Sequence, residues 1–565
     1  MWSPRHQNAV SDVVMLAVFG RANAFDISVR KQLVHDRLLS YAYAVEEIFG
    51  FDTRALDRAR ASRDARFDGK FFIAVTSTKI YCRPVCKVRD AKRSNIRYYP
   101  TAAAAAEAGF RPCLRCRPEA APGTPAWLGT LGVVRRALRL IEEGVLDDRS
   151  VVEMAERLGI GARHLHRLFV QHLGASPIAV AQTRRLHFAK RLLDETGLPI
   201  TSIAMAAGFR SIRRFNDVFR KTYRRPPREV RKLRSAEGHE AGGDEVVLRL
   251  SYRPPYDWAR LHHFLAARAI AQIEATDKER YARTVATPGG GWAVIQVRNI
   301  DAEHALEFRI NCAEATSLLH LSGVARRVFD LASDPVTIGL AFGDDPVLAP
   351  LVARRPGLRI PGVWDPFECA VRAIVGQQVS LPAGLTLVGR IVERAGRPIS
   401  TPVNGLTHLF PTPVALMSAD LAGLGLTGSR IDAIKKLASA VVEGTLDFSA
   451  AAEDVVGQLT SIRGIGPWTA EYVALRALGE PDAFPSADLV LRRAASDSDR
   501  TLSASALERR SEAWRPWRAY AVIYLWTTAL AGRQNRGRKS GARSAALRAD
   551  MRRRVQPSGI PLLRG

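Results

Sequence analysis

Four of the six cysteines fall in two close pairs, Cys82-x3-Cys86 and Cys113-x2-Cys116, with 26 residues between the pairs. That is the spacing of a four-thiolate zinc site, because each short turn aims two sulfurs at one tetrahedral ion. A pair of disulfides is the alternative reading, and large intracellular chains rarely use them. A zinc-bound thiolate is ionised at neutral pH yet still nucleophilic. Such a centre therefore either only staples the fold, as in a zinc ribbon, or attacks an electrophilic carbon.

The elements that must hold these groups are legible in outline. An apolar strand at 71–75 precedes the first cysteine pair. From 128 to 234 apolar residues recur at helical spacing, with two helix-turn-helix candidates. In the first, a helix at 151–158 and a turn at Gly159 lead to a recognition helix at 162–173 carrying Arg163, His164 and Arg167. In the second, a helix at 200–207 and Gly208 lead to one at 211–223 carrying Arg213, Arg214 and Arg220. Helices of this kind enter the major groove, where arginine reads guanine edges or holds phosphates. A generic helical bundle with a solvated basic face is the competing reading. Beyond a polar linker at 235–244 the period becomes two: Val246, Leu248, Leu250 and Tyr252 alternate with polar residues, as do Leu306, Phe308, Ile310 and Cys312. A third strand is expected at 292–298 and a helix at 258–271, with Cys312 an ordinary core residue. From about 313 the pattern is helical again, and Gly464-Ile-Gly466 reads as a hairpin whose backbone approaches a phosphate, with N–H donors at the next helix start.

A formal charge of +27 over 565 residues points to a polyanionic partner, nucleic acid first. Apolar content of 47% is enough for packed cores. No apolar run reaches the ~20 residues a membrane helix needs, and the aromatic-rich 519–531 reads as a buried helix. Residues 13–19 faintly imitate a secretory signal, but Asp12 abuts them and a thiolate centre wants a reducing compartment, so the protein is expected in the cytoplasm. The tail 533–565 carries ten arginines and lysines against Asp550 alone, which suits nonspecific DNA affinity.

Wording around these residues extends the reading. Thr76-Ser-Thr-Lys-Ile-Tyr-Cys82-Arg-Pro-Val-Cys86 and Gly109-Phe-Arg-Pro-Cys113-Leu-Arg-Cys116 resemble the zinc domain of Ada-type methylphosphotriester repair proteins. The resemblance implies that Cys82 is both zinc ligand and methyl acceptor, with Cys86, Cys113 and Cys116 completing the site. The paired helix-turn-helix units, ending in Arg224-Arg-Pro-Pro-Arg-Glu-Val230, resemble the AraC/XylS-type DNA-binding domain. Tyr252-Arg-Pro-Pro-Tyr-Asp-Trp258, then Gly376-Gln377-Gln378, Gly464-Ile-Gly466-Pro-Trp468 and Asp488 resemble AlkA-type 3-methyladenine DNA glycosylases of the helix-hairpin-helix superfamily.

That third resemblance implies a role for Asp488, 22 residues beyond Gly466, in stabilising oxocarbenium charge or orienting water. It also implies a base pocket lined by Trp468, Tyr472 and Trp526, with Phe264 a further candidate, whose electron-rich rings attract a cationic alkylated base. Gln378 stands at the wedge position that fills the gap left by a flipped base, where relatives carry an apolar residue; the alternative is that Gln377 and Gln378 only cap or bridge helices. Trp468 replaces the lysine of lyase-active relatives, which implies a monofunctional enzyme. No cysteine follows Cys369, so the iron–sulfur loop of some relatives is absent.

Together these readings imply a multidomain chain, mainly α with α+β parts. A small zinc α/β domain precedes an AraC-type double helix-turn-helix, a small α+β domain and a helical helix-hairpin-helix glycosylase domain. The expected boundaries are 1–50 for an unassigned extension, 51–120, 127–234, 245–323 and 324–532 for the four domains, and 533–565 for the basic tail. The implied function is alkylation repair coupled to regulation: one-way methyl transfer to Cys82 and hydrolytic excision of N-alkylated purines. A regulator whose second half only binds DNA is the alternative. The expected partners are double-stranded DNA and RNA polymerase, the expected cofactor is one zinc ion, and the chain is expected to be a monomer.

Overall fold

The computed structural model describes residues 47–48, 51–122, 132–235, 245–496 and 501–527. The expectations for the N-terminal extension, the polar linker at 235–244 and the basic tail fall wholly or mostly outside the described residues.

The cysteine-bearing segment forms a four-stranded sheet, in the order Ile96–Tyr99, Phe72–Val75, Ile80–Cys82, Arg111–Pro112. Only the last pairing is parallel. The alanine-rich helix Ala102–Glu107, capped by the Thr101 side chain, packs its small side chains beneath Phe72, Tyr81 and Tyr99. Phe72–Val75 is the strand expected at 71–75, shortened by one residue.

Both helix-turn-helix units form. Val151–Arg157, closed by a capping box between Ser150 and Glu153, turns at Gly159 (φ +71°) into Ala162–Leu173. Ile200–Ala206 turns at Gly208 (φ +77°) into Ile212–Tyr223. The left-handed backbone at each turn is the conformation for which glycine carries least strain. Helix Pro177–Glu195 spans 19 residues and joins the two units.

A five-stranded antiparallel sheet follows, in the order Glu245–Ser251, Ala305–Cys312, Trp292–Ile300, Arg280–Ala286, Glu274–Thr276. The last two strands were not expected from the alternation pattern. Helix Trp258–Ala266 ends five residues before the expected 271. There the Glu274 carboxylate accepts the Ile270 N–H at 3.0 Å and turns the chain toward the edge strand. Cys312 is half-buried against the core of this sheet.

The helical remainder packs Pro366–Val375, Leu381–Ala395, Gly428–Val442, Ala452–Ser461 and Pro467–Arg476 around one apolar core. A second core gathers Leu475, Phe484, Leu491, Trp514 and Trp517 with the helix at 518–527, so Trp514 and Trp517 are packing residues. Among the described residues no helix is long and apolar enough to cross a membrane.

The second helix-turn-helix unit shares one apolar core with the five-stranded sheet, and polar contacts tie the parts together as well. Lys70 of the cysteine segment forms a buried ion pair with Asp334 at 2.5 Å. Tyr81 OH and the His187 ring are 2.9 Å apart. The helix Gly132–Glu142 sends Arg135 to Glu480 and Arg136 to the Ser449 carbonyl at 2.9 Å, while Arg157 reaches the Ser449 hydroxyl at 2.8 Å.

Candidate functional site

Cys82 ends its strand, Cys86 follows one turn later, and the Cys113 N–H donates to the Tyr81 carbonyl at 2.9 Å, which brings the second pair beside the first. All four Sγ atoms lie within 4.8 Å of one another. Cys82, Cys86 and Cys113 are buried, Cys116 is half-buried, and none is in a disulfide. Arg83 braces the cluster: its N–H donates to Cys116 Sγ at 3.4 Å, and its guanidinium bonds the Cys116 carbonyl and Asp68. Crowding sets the thiols against one another. Hydrogen bonds from its three neighbours, Cys116 first, pull Cys113 down, while donation to Cys113 pushes Cys82 and Cys116 up. A second thiolate in so small a volume is unfavourable without a cation. Four convergent, unoxidised sulfurs fit a tetrahedral dication.

The second site is a cleft of about 690 Å³ between the five-stranded sheet and the helical core. Its wall includes Asp488, Trp468, Tyr472, Trp526 and Phe264. Asp488 is the N-cap of helix Leu489–Ala494: Oδ1 accepts from the Val490 and Leu491 N–H groups at 2.8 and 2.9 Å. Oδ2 accepts from the Trp468 indole N–H at 2.8 Å. The carboxylate is thus fixed by three donors and is only 9% exposed. Trp468 stacks on Tyr472 (ring centroids 5.3 Å apart, 17° between planes), and Trp526 tilts against Tyr472 at 6.2 Å. Phe264 differs from the expectation of an open aromatic wall. The Arg268 and Arg476 guanidiniums lie 3.8 and 4.7 Å from its ring centroid, so cations of the chain already occupy that π surface.

The cleft also holds charges that no sequence pattern announced. Arg283 and Arg372 share Glu274 and Glu368, at 2.8 Å for Arg283–Glu368 and 2.6 Å for Arg372–Glu274. Burial alone would raise the Glu274 carboxyl, but Arg372 and Arg283 outweigh it and hold it below the usual range. Arg476 donates to Tyr472 OH at 2.6 Å and to the Pro361 carbonyl. Arg268 and Arg476 were missed because Arg268 reads as part of an alanine-rich helix and Arg476 as the end of one.

At the hairpin, Gly464 has φ +100°, and a Cβ there would sit 2.8 Å from Ala433 Cβ. A Cβ on Gly466, the N-cap of helix Pro467–Arg476, would meet nothing within 4 Å. Gln377 donates to the Gly464 carbonyl and to Thr469 Oγ1, both at 3.1 Å, which fulfils the bridging alternative for that residue. Gln378 is exposed and left-handed (φ +54°). On the two recognition helices Arg163, Arg167, Arg213 and Arg214 are all exposed, with Arg167 tied to the His164 ring at 3.0 Å.

Comparison with known proteins matches four families in succession. They are the metal binding domain of Ada over residues 55–119, a helix-turn-helix domain over 154–233, the AlkA N-terminal domain over 247–365, and the HhH-GPD superfamily of base excision DNA repair proteins over 371–519. A probable bifunctional transcriptional activator/DNA repair enzyme AlkA of Mycobacterium tuberculosis is 41% identical over 475 residues, 83% of this chain and 95% of that protein. DNA-3-methyladenine glycosylase 2 of Escherichia coli is 34% identical over 49% of this chain and 96% of its own length. The bifunctional transcriptional activator/DNA repair enzyme Ada of Escherichia coli is 38% identical over 26% of this chain and 40% of its own length. The four-cysteine centre is a site for one zinc ion. With its zinc domain, paired helix-turn-helix units, sheet domain and helix-hairpin-helix domain in this order, the chain belongs to the family of bifunctional transcriptional activator/DNA repair enzymes of the AlkA type.

Proposed function

We propose that the chain excises N-alkylated purines such as 3-methyladenine from DNA, removes methyl groups from DNA phosphotriesters, and regulates transcription in response. The observation that carries the first activity is the Asp488 carboxylate, held by three N–H donors in the wall of an aromatic cleft beside a glycine hairpin.

Excision begins with the grip on the backbone. At the start of helix Pro467–Arg476 the first residue is a proline and the Thr469 N–H is taken by the Gly466 carbonyl at 3.0 Å, so the Gly466 and Trp468 N–H groups are the donors offered to a phosphate, and the open space above Gly466 lets it come close. The lesion flips into the cleft, and Gln378, exposed at the rim, stands in for the base that has left the stack. The base lies against Trp468, Tyr472 and Trp526. The C1′–N9 bond breaks with its electron pair passing to the base, and positive charge develops on the sugar. Asp488 stabilises that charge, water adds to C1′, and a proton is released. Trp468 offers no amine, so no Schiff base forms and the strand stays intact.

At the zinc centre Cys82 is the proposed nucleophile, with Cys86, Cys113 and Cys116 as the remaining ligands. Bound zinc keeps the sulfurs ionised at neutral pH. Cys82 Sγ forms a bond to the methyl carbon while the C–O bond breaks, and its electron pair stays on phosphate as the ordinary diester. The thioether persists, so the site acts once. Arg163, Arg167, Arg213 and Arg214 then hold a promoter, which makes RNA polymerase the downstream partner of a cytoplasmic monomer.

The test is base release from methylated duplex DNA by wild type and Asp488→Asn, alongside mass mapping of the methylated cysteine. Release by wild type alone, with methyl on Cys82, is expected. A wild type that releases no base reduces the second half to a DNA-binding module, and methyl on another cysteine removes Cys82 from its role.

A further inference from the structure

The seam between the first helix-turn-helix unit and the helical half is made by three arginines of one helix. From Gly132–Glu142, Arg139 donates to the Phe448 and Ala450 carbonyls at 3.2 and 3.3 Å, Arg136 to the Ser449 carbonyl at 2.9 Å, and Arg135 to the Glu480 carboxylate. Arg136 also holds the Arg157 carbonyl at 2.6 Å, which ties the end of helix Val151–Arg157 to the same loop. Asp447 stiffens that loop from inside by accepting the Ser449 N–H and O–H, both at 2.8 Å. The opposite face of Gly132–Glu142 buries Ala137 and Leu140 against Leu165 and Phe169 of the first recognition helix. The second unit is held as firmly, since Phe215 and Phe219 belong to the core of the five-stranded sheet. Both units are thus fixed against the excision half.

The seam lies close to the hairpin. The loop at 447–450 leads into helix Ala452–Ser461, whose ten residues span about 15 Å and end at the Gly464 turn. On the other side of the seam the recognition helix starts at Ala162, five residues beyond Arg157, and exposes Arg163 and Arg167 in its first two turns. One turn of B-DNA is about 34 Å long, so one duplex can run past both. From this arrangement we infer that the first helix-turn-helix unit is a second DNA clamp for the excision half. While the hairpin grips the backbone at a lesion, Arg163 and Arg167 hold phosphates of the flanking duplex, about one helical turn away and whatever its sequence. The inference rests on the glycosylase reading above and adds to the promoter role of the same arginines. A grip on phosphate carries no sequence information, so a helix shaped to read a promoter can also hold damaged DNA of any sequence. Each phosphate it neutralises releases counterions, which makes the added affinity fall with salt.

Duplex length separates the two grips. Release of a single central 7-methylguanine is measured as kcat/KM for the full-length zinc-loaded protein, in duplexes of about 12 and about 40 base pairs. The short duplex has flanks of only about half a turn and leaves the second clamp empty. The double variant Arg163→Ala, Arg167→Ala should match wild type on the short duplex and fall about tenfold on the long one at about 50 mM salt. Its dependence of log kcat/KM on log salt should be shallower by about 1.8, so the deficit closes near 200 mM. The short-duplex rate doubles as the control for folded protein. Arg135→Glu sets two acids against each other in the seam and should lose the same long-duplex advantage, and adding Glu480→Arg should restore it. A loss that is equal at both lengths, or no loss, overturns the proposal. So does an Arg135→Glu variant that keeps the long-duplex advantage, or one that outpaces wild type, which would make the seam a brake. A wild type that releases no base from either duplex overturns the glycosylase reading instead.

Discussion

Replacing Asp488 by asparagine separates what this side chain does for the fold from what it does for the reaction. Asparagine is nearly as good an N-cap as aspartate, so its carbonyl can keep the Val490 and Leu491 N–H bonds. Its amide nitrogen then faces the Trp468 indole N–H, donor against donor, where Oδ2 had accepted at 2.8 Å. Losing that charge-assisted bond in a nearly closed site costs about 1.5–3 kcal/mol of stability. The reaction loses what is, among the described residues lining the cleft, the one carboxylate not already neutralised by arginine, a transition-state contribution of about 3–4 kcal/mol or 10²–10³ in rate. Two readouts follow: single-turnover base release from methylated duplex, and urea melting of the free protein. Trp468→Phe completes a cycle. Alone it strands Oδ2, but combined with Asp488→Asn it removes the opposing donor, so the double variant should be more stable than the sum of the two by about 1–2 kcal/mol. Unchanged base release by Asp488→Asn would refute the assignment, and strict additivity in the melts would refute the account of how the carboxylate is held.

Other consequences are as direct. X-ray absorption of the purified protein should report four sulfurs around one zinc, and chelation should abolish methyl transfer while leaving base release in place, since the cleft is built from other elements. Gly464→Ala forces a side chain into a left-handed backbone against Ala433 and should cost about 1–3 kcal/mol in melting, whereas Gly466→Ala meets no protein atom and should instead weaken binding to undamaged duplex. The Asp330 carboxyl, raised to about 6 mainly by burial, gives a pH signature. Its folded value lies above the ordinary 3.8, so its contribution is fully present below the unfolded value and is lost as pH rises through about 6. That loss is about 3 kcal/mol. Asp330→Asn keeps the acceptor for Tyr520 OH and tolerates the residue's left-handed backbone, so it should flatten the stability profile between pH 4 and 6.

The parts of this molecule that were legible in sequence are those whose chemistry is local. Cysteine spacing announces its own geometry because two short turns suffice to aim four sulfurs, and the helix-turn-helix units follow from glycine placement and apolar period. The strand Arg280–Ala286 was not legible because it is covered on both faces: five consecutive residues, 281–285, are buried, so no alternation survives. It also carries Arg283 into the core, where Glu274 on the adjoining strand and the distant Glu368 make it tolerable. The helix expected to reach 271 stops at Ala266 for the same reason, a carboxylate from a strand that local sequence does not reveal. Around the cleft, Asp488 could be named from resemblance, but its anchor Trp468 and the guanidiniums over Phe264 depend on contacts between segments up to 212 residues apart.

The polar seams between the parts bear on how the chain can be divided. Lys70 meets Asp334 with both side chains almost fully buried, Arg117 reaches Glu195, and the Glu195 carboxylate in turn accepts the Arg249 N–H at 3.0 Å. A buried pair that loses one member leaves a stranded charge, at a cost of about 3–5 kcal/mol. A cut within 236–244 would therefore strand Lys70 on one fragment and Asp334 on the other, while Glu195 keeps Arg117 and loses only the Arg249 N–H. Co-expressed, such fragments should reassemble into a working heterodimer in which the acceptor cysteine and the excision cleft come from separate genes. The covalent link between them would then serve dosage, keeping one acceptor for each excision site, more than architecture.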